Sequence, residues 1–149
     1  MVYNHKPTGR GDDYNNLSGQ PLFPFGFGLS YTSFGYKDIS VSKKTIGQNE
    51  TLQVNCTITN TGKFAGDEVV QLYLHDELAS VARPVMELKS FRRISLDPGE
   101  SKTITFELDA DSFKMYNQAL QYVTEPGHFR IMVGASSRDI RLQEMVEVK

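Results

Sequence analysis

The sequence predicts an all-β domain, an antiparallel β-sandwich of about seven to eight strands that follows an irregular N-terminal linker. Two observations support this fold class. From about residue 35 onward, apolar and polar residues alternate with a period of two in runs of strand length. Tight-turn motifs rich in Asn, Asp, Pro and Gly separate these runs, at 60–63, 97–100 and 125–128. Short strands at this spacing are typical of a two-sheet sandwich.

Alternation assigns each strand a core face and an outward face. In the run 51–60, the apolar set includes Cys56, which we expect to pack in the core as a small hydrophobic residue. In the run 68–76, Leu72 and its alternate neighbours face the core, which leaves Tyr73 on the outward face. The other clear strands are 102–109 and 128–134. Weaker patterns predict strands at 36–42, 87–95, 119–124 and 139–148, the last with a bulge.

One short segment has helical character. Residues 109–117 place Phe113 and Tyr116 on one side of a helix, behind Asp109 or Asp111 as the N-cap. We expect a single turn there.

The first thirty residues have a different texture from the rest of the chain. They are polar and turn-rich up to residue 20, and then aromatic with interspersed proline and glycine. Proline removes a backbone donor and glycine weakens regular elements, so this stretch predicts neither a helix nor a central strand. We divide the chain into a linker at 1–30 and a sandwich at 31–149. Phe23, Phe25 and Phe27 are too apolar for a solvated tail, which indicates that the linker packs against something.

Composition excludes several classes of function. The 149-residue chain has a net charge of −2 and therefore no broad basic field for nucleic acid. Its apolar runs are too short to cross a membrane. A single cysteine allows no internal disulfide, and three scattered histidines do not form a metal-binding pattern. We expect no metal and no cofactor.

The chain also lacks a recognisable catalytic constellation. Asp109 and Asp111 are explained by helix capping, and Glu100 follows a solvent-facing turn. No G-x-S-x-G nucleophile motif is present. We therefore assign no catalytic residue to this chain.

Five motifs in fixed order carry a resemblance to a known family. They read F-G-x-G-L-S-Y-T, N-T-G-x-x-x-G-x-E-V-V-Q-L-Y, R-P-x-x-x-L-x-x-F, L-x-P-G-E-S and E-P-G-x-F-x-x-x-V-G-x-S-S. Together they resemble the C-terminal fibronectin type III-like domain of family 3 β-glucosidases and β-xylosidases, an immunoglobulin-like sandwich. Met86 stands where the family often has lysine, and Ser90 where it usually has glycine, which raises the question of a positive φ at Ser90.

The resemblance implies a parent glycoside hydrolase whose chemistry lies elsewhere. In that family a TIM barrel supplies the nucleophile in a Ser-Asp-Trp motif, and an α/β sandwich domain often supplies the acid/base. This sequence contains no tryptophan, so no catalytic group transfers to it. The implied role is a structural accessory domain that packs on the catalytic domains, in the periplasm or outside the cell. The expected interface residues are Phe23, Phe25, Phe27, Tyr31, Tyr3, His5, Lys6 and Arg10.

Two other functions stay open at this point. A carbohydrate-binding module would hold the parent on polysaccharide, and the aromatic residue expected to contact the glycan is the outward-facing Tyr73. A free-standing adhesion or scaffolding domain is the second alternative. The Arg10–Gly11–Asp12 tripeptide does not support it, because the tripeptide lies before the sandwich and not on a strand-connecting loop, and chance explains it.

Overall fold

The structure, a computed structural model, describes residues 21–149. It contains one 3₁₀ turn, Ala110–Phe113, and ten strands. The strands are β1 (Phe34–Val41), β2 (Thr45–Ile46), β3 (Leu52–Asn60), β4 (Gly66–Asp76), β5 (Glu87–Leu96), β6 (Ser101–Leu108), β7 (Met115–Tyr116), β8 (Tyr122–Val123), β9 (Gly127–Ser136) and β10 (Asp139–Val148).

The long strands form the two sheets of a sandwich. One sheet has the order β1-β3-β6, and the other has the order β2-β10-β9-β4-β5. All pairings are antiparallel except that of β2 with β10. The predicted fold class is confirmed, but the described residues form ten strands instead of seven to eight. The excess comes from two-residue strands, which are too short to leave an alternating pattern in the sequence.

A single apolar core lies between the two sheets. The inward residues of β3, including Cys56, are fully buried and face Val70 and Leu72 of β4 and Ile131 of β9. The core position predicted for Cys56 is thus confirmed. Burial raises the pKa of its thiol to about 11, because the apolar surroundings disfavour the thiolate.

Three less regular segments were also predicted: the last strand, the helical turn and the strand at 119–124. The strand at 139–148 is present with register shifts at Asp139/Ile140 and Ile140/Leu142, as the broken alternation indicated. Asp109 is the N-cap of the 3₁₀ turn and accepts from the Ser112 amide at 2.9 Å. The strand predicted at 119–124 is wrong, since only Tyr122–Val123 is a strand there. It pairs with β7 in a small hairpin separate from both sheets.

Ser90 does not adopt the conformation that would need glycine. The described non-glycine residues with positive φ are Asp38 and Leu120. Ser90 lies inside β5, next to a register shift between Leu72 and Tyr73 of the neighbouring strand. Ser90 is paired with Leu72 in the strand, and its backbone is not left-handed.

Candidate docking surface

Residues 21–33 form an irregular segment that precedes β1, which we call the strap. A turn bends it where the Phe27 amide donates to the Pro24 carbonyl at 3.0 Å. Two further bonds tie it to strand β4 and to the turn between β9 and β10. The Ser137 amide donates to the Phe25 carbonyl at 2.9 Å, and Gln71 Nε2 donates to the Gly26 carbonyl at 3.0 Å. This part of the strap is therefore held through its backbone carbonyls, and its side chains take no part in these bonds.

Gly26 is required where the strap crosses Gln71. Its φ is +80°, and a Cβ at this position would lie 2.0 Å from Gln71 Oε1. Both the conformation and the close approach favour glycine. Gly28, two residues later, has no such neighbour within 4 Å.

Gln71 and Tyr73 form a buried polar anchor beneath the strap. The side-chain Nε2 of Gln71 also donates to the Ala135 carbonyl at 2.6 Å, and the Tyr73 hydroxyl donates to Gln71 Oε1. Burial raises the pKa of Tyr73 to about 12, because it disfavours the phenolate. Tyr73 is only 1% exposed, so its predicted exposure on the outward face is wrong. A ring without an accessible face cannot stack on a sugar, and the glycan contact assigned to Tyr73 is withdrawn.

A second anchor holds the end of the strap nearest β1. Thr32 Oγ1 donates to Asn60 Oδ1 at 2.7 Å, and Asn60 is fully buried. The same Asn60 side chain donates to the carbonyls of Phe64 and Leu96 and accepts from the Gly62 amide. All hydrogen-bonding groups of this side-chain amide are used, so the strap is fixed to the sandwich at two places, at Phe25–Gly26 and at Thr32.

The side chains of the strap form an exposed apolar surface. Phe23 is 63% exposed, Phe25 65%, Phe27 46% and Tyr31 98%. The rings of Phe23 and Phe27 contact each other, with centroids 5.1 Å apart, yet both stay largely uncovered. Leu22 and Leu29 are even more exposed than the phenylalanines. Apolar side chains so close together on a fixed backbone mark an interaction surface.

The five-stranded sheet extends this surface. Phe91 of β5 pairs with Gln71 of β4 and therefore shares the outward face that the strap crosses. Phe91 is well exposed, and Val69 lies two residues from Gln71 on the same face. We call Leu22, Phe23, Phe25, Phe27, Leu29, Tyr31, Val69 and Phe91 the apolar patch.

Sequence reasoning named the four aromatic residues of the strap as interface residues but did not name Leu22, Leu29, Val69 or Phe91. The leucines could have been found, because they flank the phenylalanines in the same proline- and glycine-rich stretch. Phe91 gave no signal, since one outward phenylalanine in a strand is common. The other predicted interface residues, Tyr3, His5, Lys6 and Arg10, lie outside the described residues, as does the Arg10–Asp12 tripeptide.

Several acidic side chains in the described part of the chain have partners that hold them in place. Asp67 accepts from Arg93 and Ser95, and the hydrogen bonds lower its pKa. Arg83 donates to Asp76 at 3.0 Å and to Glu87 at 3.1 Å. Burial alone would raise the pKa of Glu87, but Lys89 and Arg83 outweigh it, and the pKa is lowered.

These pairings indicate structural roles. Asp67, Asp76 and Glu87 are each engaged by a cation, as expected for ion pairs that hold loops in place. Over residues 21–149, no group of three or more His, Cys, Asp or Glu side chains is placed to hold a metal ion. The same residues contain no helix long and apolar enough to cross a membrane.

Comparison with known proteins places this geometry in a family. Residues 68–137 match the fibronectin type III-like domain. The chain is 51% identical over 136 residues to thermostable beta-glucosidase B of Acetivibrio thermocellus, a match that covers 91% of this chain and 18% of that protein. It is 41% identical to the periplasmic beta-glucosidase of Salmonella typhimurium, over 95% of this chain and 20% of that protein.

A solved structure shows the same architecture. The beta-glucosidase of Listeria innocua in complex with glucose superposes with a TM-score of 0.89 at 42% identity, covering 99% of this chain and 22% of that one. The chain spans about a fifth of the length of each of these three enzymes. The chain therefore belongs to the fibronectin type III-like domains, in the form found as one part of family 3 β-glucosidases.

Proposed function

We propose that this chain is an accessory domain near the C-terminus of a family 3 β-glycosidase and that its apolar patch docks on the rest of that enzyme. The observation that carries this proposal is the strap, which is pinned to the sandwich at Gly26 and Thr32 while six large apolar side chains stay exposed. A domain that worked alone would gain solubility by replacing them with polar residues. The share of each relative that this chain covers leaves ample polypeptide to cover the patch.

The magnitude of the effect is adequate for stable docking. Burying one large apolar side chain contributes roughly 1.5–3 kcal/mol. Three or four of them together offset a substantial part of the cost of fixing two domains relative to each other. Because Gln71 and Asn60 already order the strap, little additional backbone entropy is lost when it docks.

The catalytic residues of the parent lie in the domains that this chain does not include. In this proposal a TIM barrel and an α/β sandwich domain hydrolyse terminal β-glycosidic bonds, and the present domain stabilises them. The proposed location is periplasmic or extracellular. It is supported by the relative from Salmonella typhimurium, which is named a periplasmic beta-glucosidase.

A binding experiment tests the proposed docking. The remaining part of the parent enzyme is expressed separately, and its affinity for this chain is measured by calorimetric titration. We expect Phe23→Ala with Phe27→Ala to weaken binding at least tenfold, because two exposed rings lose their burial. Tyr116→Ala is the matched control, since Tyr116 is equally exposed but outside the patch. Equal affinity of the double variant and the unmodified chain would refute the docking proposal.

A further inference from the structure

A second exposed aromatic group lies on the hairpin formed by β7 and β8. We call residues 114–123 the tyrosine hairpin. Tyr116 and Tyr122 are cross-strand partners, and their ring centroids are 5.0 Å apart. Tyr116 is 64% exposed and Tyr122 is 49% exposed. The two rings thus form one accessible aromatic surface that the docking proposal does not use.

The turn of this hairpin is closed by several hydrogen bonds. Asn117 Oδ1 accepts from the amides of Ala119 and Gln121, at 2.9 and 3.0 Å. The backbone N–H of Asn117 donates to the Gln121 carbonyl at 3.0 Å. Leu120 adopts a φ of 58° within the turn. A preformed surface loses little conformational entropy when it binds a ligand.

The base of the hairpin is held to the core. Met115, next to Tyr116, is buried, and Phe113 packs edge-to-face on Phe129 with centroids 5.2 Å apart. The two rings are therefore fixed relative to the sandwich by their immediate neighbours.

Polar groups surround the two rings. Lys114 Nζ lies 5.8 Å from the centroid of the Tyr122 ring and 2.7 Å from Asp111 Oδ1. Gln121, the residue before Tyr122, is exposed, and its side-chain oxygen accepts from Asn117 Nδ2 at 3.3 Å. Together with the phenolic hydroxyls, these groups supply hydrogen-bond donors and acceptors next to an aromatic face.

The composition distinguishes this surface from the apolar patch. The patch consists mainly of Phe and Leu, which suits a dry protein interface. The hairpin combines tyrosine with amide, ammonium and carboxylate groups. A pyranose has the complementary chemistry, because its C–H faces stack on aromatic rings while its hydroxyls need hydrogen-bonding partners.

We propose that the tyrosine hairpin, through Tyr116 and Tyr122, binds soluble β-linked oligosaccharides and so forms a glycan-binding site separate from the docking surface. The preference for β-linked sugars rests on the proposed function. The planes of the two rings are inclined by 40°. Two planes so inclined cannot both lie flat on one planar surface, so the site favours a flexible soluble chain over a crystalline one.

The site is distant from the strap. Phe129 pairs with Asp76, whereas the strap contacts Gln71 on the same strand. Five residues of strand separate these positions, about 17 Å. Because Phe113 packs on Phe129, the hairpin is attached toward the far end of the sheet. Glycan binding and docking can therefore be measured independently.

Titration of the ¹⁵N-labelled chain with cellohexaose, xylohexaose and laminarihexaose, followed by NMR, tests the proposal. We expect shift changes in the hairpin with at least one of them, at a dissociation constant on the order of 1 mM. Tyr116→Ala and Tyr122→Ala each weaken this binding about tenfold. Tyr116→Phe, which keeps the ring, largely retains it. Tyr31→Ala is the matched control, because it removes an exposed tyrosine outside the hairpin.

Other results would overturn the proposal. They are the absence of hairpin shifts with all three oligosaccharides, unchanged binding by both alanine variants, and tighter binding to microcrystalline cellulose than to the soluble probes. Loss of self-association or of affinity for the rest of the enzyme in Tyr116→Ala, with no sugar binding, would make the hairpin a protein contact instead. Failure of the strap variants to alter docking refutes the proposed function but leaves these sugar measurements unaffected.

Discussion

The substitution Gly26→Ala tests the attachment of the strap. Alanine at a φ of +80° costs about 1–2 kcal/mol in backbone strain. Its Cβ would also lie 2.0 Å from Gln71 Oε1 and would displace the amide from its partners. Loss of two neutral hydrogen bonds adds about 1 kcal/mol each. We therefore expect the free energy of unfolding to fall by about 3–4 kcal/mol.

Urea denaturation followed by circular dichroism measures this change. At about 2 kcal/mol per molar urea, the midpoint falls by about 1.5–2 M. Hydrogen exchange at the Ser137 amide, which donates to Phe25, reports separately on strap detachment. Gly28→Ala is the matched control, and we expect it to change neither quantity, because nothing lies within 4 Å of its added methyl group. If Gly26→Ala matched Gly28→Ala in both midpoint and exchange, the assigned strap geometry would be incorrect.

Three further predictions concern buried groups. Gln71→Met should lower the free energy of unfolding by about 2–3 kcal/mol. The double variant with Tyr73→Phe should lose less than the sum of the two single variants. The reason is that Gln71→Met leaves the Tyr73 hydroxyl without its partner, and Tyr73→Phe removes that hydroxyl. A urea double-mutant cycle measures this coupling, and strict additivity would contradict it. Arg83→Gln should cost about 3 kcal/mol, since it leaves buried Asp76 without its cation, whereas Arg93→Gln at an exposed pair should cost less than about 1 kcal/mol. Equal midpoints for these two variants would count against the buried network. The Cys56 thiol, with a pKa of about 11, should stay unreactive toward a thiol reagent at pH 8 in the folded chain and react after unfolding. Its thiolate fraction, and with it the rate, should rise as pH approaches 11, and rapid native labelling at pH 8 would contradict its burial.

The alternation of apolar and polar residues predicted the sandwich well, because most of its strands have one buried face and one solvent-exposed face. In β3, every second residue is buried between the sheets, so the sequence pattern and the burial pattern coincide. The same rule was wrong for Tyr73, because an outward face is exposed only where nothing covers it. The strap covers β4 at Gln71, and five consecutive residues, 70–74, are buried there. The nearly continuous apolar run in that segment was the available signal.

Elements that depend on tertiary contacts were harder to predict. The two-residue strand β2 exists because it pairs in parallel with β10, about a hundred residues away in the chain, which no local pattern encodes. In the segment predicted as a strand at 119–124, the Asn117 side chain makes a turn instead. An Asn that bonds to amides two and four residues ahead favours such turns over extended strand. The tyrosine pair was missed for the same reason, because only the hairpin brings its two members together.

Footprinting of aromatic side chains by hydroxyl radicals, in this chain alone and in the complete parent enzyme, tests the docking claim most directly. We predict that labelling of Phe23, Phe25, Phe27 and Tyr31 falls strongly in the complete enzyme, while Tyr116 and Tyr122 stay labelled. Equal labelling of the strap residues in both samples would show that the patch is uncovered in the enzyme, and docking through the strap would then be contradicted.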